Sequence, residues 1–286
     1  MKIESLRQRY HQQLCQEIIR IYQKQNTNGY PNFADGSSTS SVAIAWEIFN
    51  QLDCPQSNER LSGQTVGGRF ETITSHFLQE AFSLMQHLRP GRWSYDTAQT
   101  NILNYYQYEH LGYVAEVVAE NRLLATALGG DYIVKPDIII GRYPLREDEI
   151  NLTTNESLVD TAAALTPLRE QNQTDQRMLL HASISCKWTI RSDRSQNTRT
   201  EALNLIRNRK GPLPHIVAVT AEPLPTRLAT LALGTGDLDC VYHIALPELQ
   251  EALVRVDNPD QLEMLEMLVY GRRLRDIADL PFDLAI

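Results

Sequence analysis

Three apolar runs in the second half of the chain constrain its fold most. Leu179–Trp188 alternates apolar and polar residues, and His215–Thr220 and Cys240–Ala245 are short and rich in β-formers. Between and after them lie helical patterns, from about Ser195 to Arg207 and from Pro247 through Leu253. A fourth run, Ile138-Ile139-Ile140, is entered through Lys135-Pro136-Asp137 and reads as a buried strand. Strands alternating with helices bury their apolar faces best as a sheet with helices packed on it, an α/β core. With no long linker or low-complexity stretch, residues 1–286 are expected to form one domain.

The first half is more helical. Leu6, Tyr10, Leu14, Ile18 and Ile21 keep helical spacing across residues 3–25, and a second helix is expected over Ala43–Leu52. A third is expected from about Arg69 to Leu88, its core face holding Phe70, Ile73, Phe77, Ala81, Leu84 and Leu88. A fourth spans Tyr113–Leu128 and stops at Gly129-Gly130. Residues 30–41 and Ser62–Gly68 read as turn-rich loops, and 145–177 as loop or short helix.

Several function classes are excluded. No apolar run approaches the roughly 20 residues needed to cross a bilayer, and the N-terminus lacks the apolar segment of a signal peptide, so a cytoplasmic protein is expected. Cys15, Cys54, Cys186 and Cys240 have no paired spacing, which argues against both zinc and a disulfide framework. The net charge of −8 speaks against a nucleic-acid partner, but its distribution does not. Lys187, Arg191, Arg194, Arg199, Arg207, Arg209 and Lys210 face only Asp193 and Glu201 in the same stretch. This is a basic stripe on an acidic body; a solvated helix face would read the same way.

The chemistry gathers on two strands. Phosphodiester hydrolysis needs oxygen ligands for Mg²⁺ and a group to position the attacking water. Asp137 at a strand entrance supplies a ligand, Lys187 at the end of a later strand shares a face with Ser185, and the carbonyl of Cys186 is a further ligand candidate. A second carboxylate is needed, and Ser185 cannot supply it. Glu201 on the following helix is the nearest candidate, and Glu71 near the start of its helix is another. The same residues would also serve as a strand cap and an exposed strand end. After Lys187, Arg191, Asp193 and Arg194 stand where strand gives way to helix. Arginine bonds guanine O6 and N7, and a carboxylate accepts from cytosine N4, so the trio suits adjacent G·C pairs. It also suits a helix cap.

The run Ser185–Arg194 resembles the NgoMIV family of restriction endonucleases, and so do Glu201–Gly211, Leu213–Pro223, Ala232–Tyr242 and Asp279–Leu284. Ala34–Ser37, Gly63–Thr65 and Pro136–Ile139 fit as well, so the likeness spans nearly the whole chain. The resemblance implies a PD-(D/E)XK nuclease fold in the variant whose second acid has moved to the next helix. It assigns Asp137, Lys187 and Glu201 to the catalytic core, with Glu71 assisting and serine accepted at Ser185. It implies Mg²⁺ held by Asp137, the Cys186 carbonyl and Glu201, and double-stranded DNA as substrate. Arg191, Asp193 and Arg194 would read a central CCGG, Arg227 the flanking pair, and Ser37 and Gln64 the minor groove, giving GCCGGC. A homo-oligomer is implied, at least a dimer and in this family a tetramer. The rivals are a repair or junction nuclease of the same superfamily and a DNA-binding protein without catalysis.

Overall fold

The sheet expected from the second half of the chain forms in the computed structural model. The structure describes residues 2–286 except 24–28, 98–100, 122, 124–125, 127–132, 152–156, 160–161, 171–176 and 235; of residues 192–195 it describes the backbone alone. The N-terminal half places α1 (Ile3–Glu17), a small antiparallel pair β1 (Ile21–Tyr22) and β2 (Tyr30–Pro31), α2 (Thr39–Gln51) and α3 (Gly63–Ser83). Then come β3 (Trp93–Asp96), α4 (His110–Glu120), β4 (Ile138–Arg142), α5 (Glu147–Ile150) and β5 (Leu179–Lys187). The chain ends with α6 (Ser192–Asn208), β6 (His215–Thr220), α7 (Pro225–Ala232), β7 (Cys240–His243), α8 (Leu246–Val256), α9 (Pro259–Tyr270), β8 (Leu274–Asp276) and α10 (Leu280–Asp283).

The main sheet runs β3-β4-β5-β6-β7-β8, antiparallel from β3 to β5 and parallel from β5 to β8. This switch of direction at β5 positions the site. Ile138 pairs with Ile184 across the antiparallel ladder, so the entrance of β4 lies against the exit of β5. Lys187 pairs with Thr220 in parallel, so β5 and β6 finish on the same edge. Ile138, Ile139 and Ile140 are fully buried, because helices cover both faces of the sheet and each branched side chain finds apolar neighbours. The ladder shifts register between Ile140 and Gly141. A Cβ at Gly141 would stand 2.8 Å from Ser94 Oγ and 2.9 Å from the Tyr105 ring, so a bare backbone is required there.

Element boundaries moved for local reasons. The stretch Ser62–Gly68 is not a loop but the first turns of α3, with the Ser62 hydroxyl accepting from Thr65 N at 3.0 Å as the N-cap. Phe70, Ile73, Phe77 and Ala81 are buried as expected, whereas Leu84 and Leu88 are exposed because the helix ends at Ser83. Helix α1 stops at Glu17 rather than near residue 25. The buried Arg20 guanidinium donates to the carbonyls of Ile19 at 2.8 Å and Gln16 at 3.0 Å, satisfying groups a helix end leaves open. Helix α2 begins four residues before Ala43, capped by Ser38, and α6 begins at Ser192. The end of the expected helix Tyr113–Leu128 lies largely outside the described residues. Strands β3 and β8 escaped the sequence reading: both are short, and β3 is only half buried.

One expectation was wrong outright. Cys15 and Cys54 form a disulfide across 39 residues, with Cα atoms 5.0 Å apart. It joins the last turn of α1 to the segment after α2, a proximity created by helix packing that no cysteine spacing announces. No helix among the described residues is long and apolar enough to cross a membrane.

Candidate active site

At the shared edge of β4 and β5, one carboxylate oxygen collects donors from the opposite strand. Asp137 Oδ2 accepts from Cys186 N at 2.7 Å and Lys187 Nζ at 2.8 Å, with Ser185 Oγ farther away at 3.4 Å. The antiparallel ladder makes this contact possible between residues fifty apart in sequence. Asp137 Oδ1 has no hydrogen-bond partner among the described residues and remains free to bind a ligand. Burial works against the Lys187 ammonium, but Asp137, both as a charge and as a hydrogen-bond acceptor, outweighs it and raises its pKa. The lysine therefore stays charged.

Two more carboxylates face this pair. Glu71, on α3, is half buried, and burial followed by repulsion from Asp137 pushes its pKa up to about 7, against the pull of Lys187. Glu201, in the middle of α6, is likewise half buried and raised, first by burial, with Lys187 opposing and Asp137 adding. Neither has a hydrogen-bond partner among the described residues. Half-buried carboxylates without donors are costly unless something else compensates them. Three carboxylates around one lysine leave negative charge in excess, and all the donors are hard oxygens, which fits a small divalent cation. Among the described residues no three acidic, histidine or cysteine side chains converge closely enough to hold a metal alone. A cation here would therefore need backbone carbonyl or water oxygens as well. The Cys186 thiol is buried and its pKa is pushed well up by burial, so that residue can offer only its carbonyl.

Beyond Lys187 the edge opens into a cleft of about 650 Å³. Ser37, Arg191 and Arg227 all line it, which brings together three of the predicted DNA contacts from three separate elements. Gln64 is exposed in the first turn of α3, seven residues before Glu71 and so on the same helix face, about 10 Å along the axis. Asp193 and Arg194 belong to the first turn of α6, but their side chains lie outside the described residues.

Over residues 10–286 the chain matches the family model described as NgoMIV restriction enzyme. The chain belongs to the NgoMIV restriction enzyme family. It is 51% identical over 266 residues to the type II restriction enzyme NgoMIV of Neisseria gonorrhoeae, covering 91% of this chain and 92% of that relative. Membership makes it a type II restriction enzyme, a site-specific deoxyribonuclease, and agrees with the mixed sheet flanked by helices.

The cleft of this NgoMIV-family chain also holds groups that sequence reasoning passed over. Arg227 Nη2 is bonded to Asp35, whose other oxygen accepts from Ser37 N at 2.9 Å and Ser37 Oγ at 2.6 Å. The Ser37 bonds first, and then the Arg227 guanidinium, hold the Asp35 pKa down to about 2. Arg227 Nη1 lies 3.8 Å from Glu222, a fully buried acid. An acid among Ala221, Pro223 and Leu224 was the available signal for Glu222. Asp35 gave less, because Asp-Gly-Ser also describes an ordinary surface turn.

Proposed function

We propose that this enzyme cuts double-stranded DNA within the palindrome GCCGGC in a Mg²⁺-dependent hydrolysis that leaves 5′-phosphate and 3′-hydroxyl ends. The observation that carries the chemistry is the Asp137 carboxylate clamped by Lys187 and Cys186 N, with Glu201 and Glu71, which have no hydrogen-bond partner among the described residues, beside it. Asp137, Glu201 and the Cys186 carbonyl would hold the ion. When bound, Mg²⁺ would supply positive charge to stabilise the phosphate and the leaving 3′ oxygen. Lys187, charged and fixed at the strand end, orients the attacking water in line and lowers the cost of its losing a proton. Glu71 assists through its charge, and Ser185 supports the Asp137 carboxylate.

Recognition follows from the cleft. Arg191, Asp193 and Arg194 at the start of α6 read the central CCGG from the major groove. Arg227 reads the flanking pair. Its partner Asp35 adds the complementary acceptor, since a guanidinium for guanine and a carboxylate for cytosine together describe a G·C pair. Ser37 and Gln64 take the minor-groove side. A palindrome is read by a two-fold symmetric protein, so the working form is at least a dimer of this one-domain chain, and we propose a tetramer of two such dimers.

Digestion of a sequenced plasmid with Mg²⁺ and with EDTA, followed by end sequencing, tests this reading. Discrete cuts at GCCGGC with Mg²⁺ alone are expected. Cuts at another CCGG-containing site would overturn the outer contacts, and DNA binding without cleavage would overturn the catalytic assignment.

A further inference from the structure

The completely buried carboxylate of Glu222 lies just beyond β6 and has no part in the hydrolysis above. One of its oxygens, Oε2, accepts from Ile190 N at 2.9 Å, in the segment that delivers Arg191 to the cleft. The other, Oε1, accepts from Leu224 N at 3.2 Å, at the N-cap of α7, the helix that carries Arg227. The Oε2 oxygen also faces Arg227 Nη1 at 3.8 Å. The residue's own N–H donates to Thr220 Oγ1 at 3.1 Å, anchoring it to the end of β6. A fully buried acid is expensive, and burial pushes its pKa up to about 7 even with these donors present. An apolar side chain would avoid that cost but would leave Ile190 N and Leu224 N without an acceptor. What the carboxylate provides is two acceptors in one rigid group, and both are used by elements that carry predicted base-reading arginines.

We propose that Glu222 is a positioning residue for sequence recognition. It fixes the Arg191 segment and the Arg227 helix in one geometry, so that the inner and outer base pairs are read as a unit. The inference rests on the assignment of Arg191 and Arg227 to base reading. Glu222→Gln keeps the shape but offers one acceptor oxygen, and sets an amide NH₂ against a backbone N–H. The tie that holds the two elements to each other is then broken, and neither keeps its place relative to the other.

The test compares wild type, Glu222→Gln, Arg227→Ala and the double variant. Their affinities in Ca²⁺ are measured for a GCCGGC duplex, for duplexes with the outer or an inner pair replaced, and for random-sequence DNA. Arg227→Ala is expected to lose about tenfold or more of its discrimination at the outer pair only. Glu222→Gln is expected to lose about tenfold at both outer and inner pairs, with random-sequence affinity unchanged within about twofold. At the outer pair the double variant should be no worse than Arg227→Ala alone, because both changes remove one arrangement. A folded Glu222→Gln that discriminates like wild type, or that loses affinity equally for every sequence, would overturn the proposal. If Arg227→Ala keeps full discrimination, the base-reading assignment fails and the coupling falls with it. Should Glu222→Gln not fold, Glu222→Asp, which keeps the charge on a shorter stem, carries the same comparison and the same expected loss at both pairs.

Discussion

At the scale of single residues, the site is organised by the Asp137 carboxylate, and its neighbours can be ranked by their bonds to it. Cys186 N and Lys187 Nζ approach within 2.8 Å, whereas Ser185 Oγ stays at 3.4 Å, where a hydrogen bond is weak. Asp137→Ala and Lys187→Ala are each expected to lower the single-turnover cleavage rate by about a thousandfold or more, while specific binding persists. Ser185→Ala should cost less than about tenfold in the same assay, in line with one weak bond. Wild-type cutting by either of the first two variants would remove them from the chemistry. Asp137 and Lys187 were legible from a proline–aspartate strand entrance and a lysine at a strand end. Asp35 and Glu222 were not, because their meaning lies in Arg227 and Ile190, far away in sequence.

At the scale of elements, α3 does two jobs with adjacent residues. Phe70 is fully buried and packs edge-on against Trp188, with ring centroids 5.1 Å apart, while Glu71 faces the site. The helix is thereby tied to the segment just after Lys187. Phe70→Ala should cost about 3–5 kcal/mol in denaturant unfolding. It should also slow cleavage at temperatures where the protein stays folded, since Glu71 loses its fixed distance from Asp137. A variant destabilised this far but cutting at the wild-type rate would show that α3 contributes only to stability. The sequence displayed the apolar face of α3 through its periodicity, but not its true start at Gly63 or its end before Leu84. Those depended on the Ser62 cap and on where neighbouring elements stop covering it.

At the scale of the whole molecule, pH and redox state act on groups spread through the fold. Burial holds His181 and His243 neutral, with pKa values lowered to about 4. Each therefore contributes stability that is complete above the ordinary value near 6.5 and is lost as pH falls toward 4, by up to about 1.4 kcal/mol per pH unit. Glu222, raised by burial to about 7, acts in the opposite sense, and its penalty grows as pH rises from about 4.5 to 7. Glu71, also raised to about 7, acts in the same sense as Glu222, so the two acids oppose the two histidines between pH 6.5 and 4.5. A Glu222→Gln variant, lacking one of those acids, should lose melting temperature faster than wild type as pH falls through that window, and parallel profiles would contradict the burial of Glu222. Reduction of the Cys15–Cys54 disulfide, which closes a loop of about 40 residues, should destabilise the fold by up to about 4 kcal/mol on the chain-entropy argument. Thermal melts with and without dithiothreitol, repeated on Cys54→Ser, measure it; an identical melt in all four would exclude the crosslink.

The sequence by itself determined the α/β class, the buried strands, the apolar helix faces and the places of Asp137 at a strand entrance and Lys187 at a strand end. Each of these follows from side-chain periodicity or from chemistry confined to a few neighbouring residues. Only the tertiary structure decided that Asp137 meets Lys187, that Glu71 and Glu201 face them, and that Asp35 holds Arg227. It also decided that Cys15 joins Cys54 and that Glu222 accepts from Ile190 N and Leu224 N, beside Arg191 and Arg227. Most of those contacts arise from strand order and helix packing, which bring together pairs such as Ile190 and Glu222, 32 positions apart, and Asp35 and Arg227, 192 apart. No local pattern encodes a distance of that kind.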